Sequence, residues 1–261
     1  MKLARILAAA GLVVALACGT AMATPSTQIW IPSTDVKAFK DIHIDIDNYM
    51  RFSPKGDSGP NYYNLGVSAG VLPFENIKLE VGIDMLMTSL QNDNVADNHP
   101  FYFNAKLGTP EDAFGTKGLP ALAVGAFNLG TYDNVLSTRQ NIVYGLAAKT
   151  LPVLGRLSVG GYYGSERALA VGTNLKNNNS GILASWDRSM PEVSDKLWLA
   201  VDYMSGNNGN GEVSVGGSWT FSKQVSLIVG VVFFNPFYTP SGGEGIPGGK
   251  PALTTQLDIA F

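Results

Sequence analysis

From about residue 40 to the C-terminus, apolar residues recur at every second position in one stretch after another, and helical spacing is almost absent. Successive side chains of a strand point to opposite faces, so a period of two marks extended segments with one apolar and one polar side. The segment 77–89 is the clearest: Ile77, Leu79, Val81, Ile83, Met85 and Met87 share one parity, Lys78, Glu80, Gly82, Asp84 and Thr88 the other. The segment 40–52 sets Ile42, Ile44 and Ile46 against Asp41, His43, Asp45 and Asp47. Twelve such segments are read, at 40–52, 62–72, 77–89, 100–107, 119–129, 140–150, 155–164, 180–189, 196–205, 212–221, 223–234 and the last strand. Both parities of 119–129 are mostly apolar, so its facing stays open. In 140–150, Ile142, Tyr144, Leu146 and Ala148 are assigned to the apolar outer side.

A strand of about ten residues, tilted, is long enough to cross a bilayer. Hydrocarbon offers no water to the backbone, so spanning strands must pair sideways and close on themselves. The expected fold is therefore all-β: an antiparallel transmembrane β-barrel of about twelve strands over 39–261, an even number with both termini on one side. Connection lengths alternate accordingly. Those at 53–61, 90–99, 130–138, 165–179, 206–211 and 235–251 are long and rich in Gly, Asn, Pro and Ser, as in Asn207-Asn208-Gly209-Asn210-Gly211. The intervening 73–76, 151–154 and 222–223 are short, with 108–118 and 190–195 longer. Short turns belong on the periplasmic side and long loops outside.

The ends of the chain agree. Lys2 and Arg5 precede an apolar run from Ile6 to Ala17, and Ala21-Met22-Ala23 precedes Thr24-Pro25. This is the layout of a cleaved secretory signal, 1–23, whose apolar run is too short for a membrane helix. Cys18, the one cysteine, falls within it, which also raises a lipoprotein leader as the minor alternative. Residues 24–38 read as a periplasmic N-terminal segment packed on the barrel mouth, with a short plug entering the lumen as the alternative. At the other end Leu253, Thr255, Leu257, Ile259 and Phe261 alternate with Thr254, Gln256, Asp258 and Ala260. A terminal amphipathic strand closing on an aromatic resembles the C-terminal signal of bacterial outer-membrane barrels. The resemblance implies an outer-membrane location and recognition of Phe261 by the barrel-insertion machinery.

No catalytic constellation stands out among two His residues, and no Gly-x-Ser-x-Gly elbow is present. The oxygen-rich stretch Asn92–Asn98 lacks the spacing of a calcium loop. Neither a catalytic residue, a cofactor nor a metal is expected. The formal net charge of −3 argues against nucleic acid as a partner. What remains is the polar parity, which should line the lumen: Asp45, Asp47, Glu80, Asp84, Lys106, Arg156, Asp202, Glu212 and Asp258, with Arg51, Lys78, Lys149 and Lys196 as further bases. The expected function is a pore or transporter for small hydrophilic solutes, weakly cation-preferring because acids exceed bases. The alternative is a non-conducting surface, adhesion or envelope-structure barrel acting through its external loops; a lipid-modifying enzyme ranks third. The expected surroundings are outer-membrane lipid. The sequence leaves the oligomeric state open.

Overall fold

The computed structural model describes residues 26–53, 58–88, 95–133, 137–169, 178–239 and 245–261. Twelve antiparallel strands form one closed barrel. In chain order they are β1 (Ile42–Arg51), β2 (Tyr62–Gly70), β3 (Lys78–Met87), β4 (Phe101–Thr109), β5 (Ala121–Gly130), β6 (Ile142–Leu151), β7 (Gly155–Tyr163), β8 (Ser180–Ser189), β9 (Leu197–Met204), β10 (Glu212–Thr220), β11 (Val225–Phe234) and β12 (Ala252–Ala260). Each pairs with its neighbours in sequence, and β12 closes on β1 with His43 opposite Ala260 and Arg51 opposite Ala252. Closure leaves no unpaired edge, which is what lets a sheet stand in hydrocarbon. The start of β1 and the end of β12 lie at the same end of the barrel as the short turns that join β2 to β3, β6 to β7 and β10 to β11.

Exposure follows parity. Leu65, Val67, Val81, Ile83, Phe101, Phe103, Val159, Val215 and Val229 point outward, while Glu80, Lys106, Ser158, Asp187, Asp202, Ser214 and Thr254 are buried within. A continuous outer band of large apolar side chains is a lipid-facing surface. Trp219 and Phe221 mark it at the short-turn end, Tyr163 and Phe233 at the other. Among the described residues, no helix is long and apolar enough to cross a membrane. The strand left open, β5, turns Leu122 and Val124 outward and Ala121 and Ala123 inward. Its pairing with β4 shifts register between Phe103 and Ala105, beside Asn128 at φ 52°.

The facing of β6 is the reverse of the sequence expectation. Ile142, Tyr144, Leu146 and Ala148 are all buried inside, and Val143 points out at 51% exposure. Periodicity defines two faces but not which is inner. Here the inner one is apolar because Ile142, Tyr144 and Leu146 pack with Ile31, Tyr162, Leu183 and Met204. The same reversal moves Lys149, read as a lumen base, to the outer rim, where its Nζ lies 2.9 Å from Glu111 Oε2 and 3.2 Å from Asp112 Oδ1.

Ile31 belongs to the N-terminal segment, whose described part, residues 26–38, lies inside the barrel rather than on its mouth. The chain enters beside the end of β2. Phe39 bridges Gly70 in parallel, and the Lys40 amide donates to Gly70 O at 2.9 Å. A Cβ on Gly70 would fall 1.8 Å from Ala38 O, so only glycine permits this approach. The segment then folds back on itself. Thr27 bridges Pro32, and the Gln28 amide donates to Ile31 O at 2.8 Å, leaving Ile29 and Trp30 at the tip of a tight turn.

Candidate functional site: a plugged polar lumen

The tip of the plug is held by one carboxylate. Asp202, on β9, accepts the amides of Ile29, Trp30 and Ile31 on Oδ2 at 2.7, 2.9 and 3.4 Å. Three consecutive amides turned on one oxygen form an anion nest. The Ile29 carbonyl accepts Gln256 Nε2 at 2.6 Å and Tyr49 Oη at 3.3 Å, so the turn is held from β1 and β12 as well as β9. The Ile29 side chain packs on Ala200 and Ile228, where Gly216 leaves it room: a Cβ there would sit 3.2 Å from Ile29 Cδ1. The Trp30 ring meets Tyr49 and Phe234 edge-on, at 5.1 and 5.3 Å between centroids, and its Nε1 donates to Asn210 O at 3.1 Å.

The base of the plug is held by charge. Arg156 on β7 bridges the wall and the plug, with Nε 2.9 Å from Asp187 Oδ1 and an Nη 2.8 Å from Asp35 Oδ1. Asp187 also accepts Gln28 Nε2 at 3.0 Å and Trp198 Nε1 at 3.1 Å. Burial would raise the Asp35 carboxyl, but the bonded Arg156 outweighs it and holds it below the usual carboxylate range. Lys106 Nζ donates to Ser26 O at 2.6 Å and lies 4.0 Å from Glu80, which also accepts the Lys37 amide at 3.0 Å. Burial lowers the Lys37 ammonium, and Glu80 opposes that shift. To ion pairs the wall already makes, Arg156 with Asp187 and Lys106 with Glu80, the segment adds one charge, Asp35, and the neutral groups of Ser26, Gln28 and the Lys37 amide.

A second set of acids is gathered by side-chain amides. Asp45 and Asp47 on β1 and Asp84 on β3 converge on one amide, Asn64 Nδ2, at 2.9, 3.4 and 3.4 Å. Asn104 Nδ2 donates to Asp84 Oδ2 at 2.6 Å. Gly66 makes room for the convergence, since a Cβ there would lie 2.4 Å from both Asp45 carboxylate oxygens. These three acids are half-buried, whereas Asp258 is buried, 3.1 Å from His43 Nε2, and accepts Ser226 Oγ at 3.3 Å. Among the described residues, no group of three or more His, Cys, Asp or Glu has the arrangement of a metal site.

The long-loop end is also tied. Arg51 donates to Pro60 O at 2.8 Å, to Gly248 O at 2.6 Å and to Lys250 O, and its guanidinium stacks on Phe234 at 4.4 Å. Asn208 Nδ2 donates to Tyr162 Oη at 2.8 Å, and Asn235 Nδ2 to Asn208 O at 2.7 Å and Pro247 O at 2.9 Å. Through Asn210 and Trp30 this mouth network meets the plug.

The structure brings Asp45, Asp47 and Asp84 together, sets Glu80 by Lys106, Arg156 by Asp187 and Asp258 by His43, and puts Asp202 and Glu212 on adjacent strands. Sequence reasoning missed the residues that complete them, namely Gln28, Asp35, Lys37 and Asn64. The one available signal was Ile29-Trp30-Ile31, an apolar triplet ahead of the first strand with no spanning segment of its own.

The closed barrel, its apolar band and its polar interior define a small outer-membrane-type β-barrel. No family model and no curated protein matches the chain. Solved structures similar in shape include the KdgM porin, at 10% identity and TM-score 0.49 over 84% of this chain and 99% of that one. Outer membrane phospholipase A from Escherichia coli gives 13% identity and TM-score 0.43 over 84% of this chain and 92% of its own. Salmonella typhi OmpF, in complex with daunomycin, gives 7% and 0.43 over 85% and 96%. With TM-scores under 0.5 and identities of 7–13%, these likenesses concern barrel shape and carry no function across.

Proposed function

We propose that the protein is an outer-membrane pore or transporter for small hydrophilic solutes, weakly cation-preferring, whose lumen is closed by its own N-terminal segment. The observation that supports this is that buried polar and charged groups of the wall take further bonds from the plug rather than from one another. Here Arg156, Lys106, Glu80 and Asp202 are completed by residues 26–37, so the segment's departure would leave a hydrated, charged wall. Asp45, Asp47, Glu80, Asp84, Asp187, Asp202, Glu212 and Asp258 would then face Lys106 and Arg156 across a low-dielectric shell, and the field would favour cations.

The test is planar-bilayer recording on the full chain and on one lacking residues 26–36. The full chain should stay mostly closed. The shortened one should give steady steps and a cation-favouring reversal potential that fades as salt shortens the Debye length. Neutralising Glu80, Asp84 and Asp202 together should reduce the preference. A folded shortened chain without steps at any voltage would overturn the pore reading in favour of a surface role. An anion-selective channel would keep the pore and refute the charge argument.

The same reading places both termini in the periplasm, after removal of residues 1–23, and has the insertion machinery read the last strand. Phe261→Ala should then lower the yield of folded, heat-modifiable protein in the outer membrane several-fold. An unchanged yield would show that Phe261 is not part of that signal.

A further inference from the structure

Asp202 and Glu212 are each 1% exposed. They lie on adjacent strands: Asp202 is opposite Ser214 and Glu212 opposite Met204. Asp202 spends Oδ2 on the plug amides, and Ser214 Oγ donates to Glu212 Oε2. The remaining oxygens, Asp202 Oδ1 and Glu212 Oε1, are buried without a donor, and the two residues are diagonal neighbours on the inner face, with Ser214 opposite Asp202 and bonded to Glu212. Two buried carboxylates without a donor between them repel; with one proton between them they form a bond. The charge belongs on Asp202, where three amides point, and the proton on Glu212.

Among the described residues, none that faces the pair supplies a counter-charge. On β1 it is faced by Tyr49, with Asp47 beyond it. On β11 it is faced by Phe234 and Val232, opposite Glu212 and Ser214. Asp187 on β8 is satisfied by Arg156, Gln28 and Trp198. Arg51, stacked on Phe234, is engaged with backbone carbonyls. The plug brings no ionisable side chain between Ser26 and Thr34.

We infer that Asp202 and Glu212 form a proton-operated latch: the plug is seated while Glu212 holds its proton and is released when that proton passes to water. Seating binds a proton that the open, hydrated state gives up at ordinary pH, so it is favoured at low pH and lost as pH rises. This regulation rests on the pore reading only for its electrical readout, and accessibility of the plug tests it separately.

Thr34, 3% exposed in the seated segment, is replaced by cysteine in a Cys18→Ser background, and the folded protein is treated with a water-soluble thiol reagent. From about pH 5 to about pH 9 the labelling rate, corrected for thiolate fraction, should rise at least about tenfold. In Glu212→Gln, which keeps a donor at all pH values, it should stay within about twofold. Should that variant fail to give a heat-modifiable band, Ser214→Ala serves instead. Removing the hydroxyl that favours the ionised Glu212 should move the rise to higher pH. A flat parent profile, a Glu212→Gln profile that rises like the parent, or an unmoved rise in Ser214→Ala would each overturn the latch. Absence of conductance in the shortened chain would overturn the pore and leave this measurement standing.

Discussion

Gly70→Val should expel the plug and leave the barrel closed. The position ends β2 opposite Glu80, and valine suits a strand, so the pairing of β2 with β3 has no reason to fail. The inner side is different. A Cβ would lie 1.8 Å from Ala38 O and 2.7 Å from Lys37 O, both backbone, and two further methyl carbons have nowhere to go. The root of the segment must move by more than an ångström, which breaks the Phe39 bridge and the Lys40 bond to Gly70 and pulls Lys37 from Glu80. Thiol labelling at Thr34→Cys in this background should be fast at every pH, and steps should appear in bilayers without truncation. Heat-modifiability should persist. Slow labelling, as in the parent, would mean that the segment can be rooted elsewhere.

The second large effect is expected at Arg156. Arg156→Met keeps the length of the stem and removes the guanidinium between Asp187 and Asp35. Asp187 would keep its bonds from Gln28 and Trp198 but lose its only ion pair among the described residues, and Asp35 would lose its bonded partner within the lumen. Stranding a buried charge costs about 3–5 kcal/mol. The loss should be shared: a lower temperature for the shift of the folded gel band, and a plug that labels faster than the parent at pH 5. Arg156→Met with Asp35→Asn and Asp187→Asn, which removes the stranded charges as well, should recover most of the stability. A single variant as stable as the parent would show that water already screens the pair.

How much of this was legible beforehand follows from what alternation encodes. Strand positions, their even number and the closing partner of β1 were readable, because a barrel admits one topology once its hairpins are in order. In most strands the inner face was readable too: charge cannot face lipid, so Asp45, Glu80, Lys106 and Asp202 had to turn inward. The rule failed on β6 for a physical reason. Ile142, Tyr144 and Leu146 are larger than the outward Val143, Gly145 and Ala147, and a sequence contrast says nothing of a segment more than a hundred residues away that fills the space they face.

The sequence by itself determined the barrel: its strands, its apolar outer band and the acidic excess of its interior all follow from local parity and the demands of hydrocarbon on the backbone. Tertiary structure alone decided what occupies the lumen. The contacts that hold residues 26–38 there are single bonds between groups far apart in the chain, such as Ile29 with Asp202 and Gln28 with Asp187. They follow no period and depend on the radius of the closed barrel and on the room left by Gly70 and Gly216. A pattern read along one strand carries neither quantity.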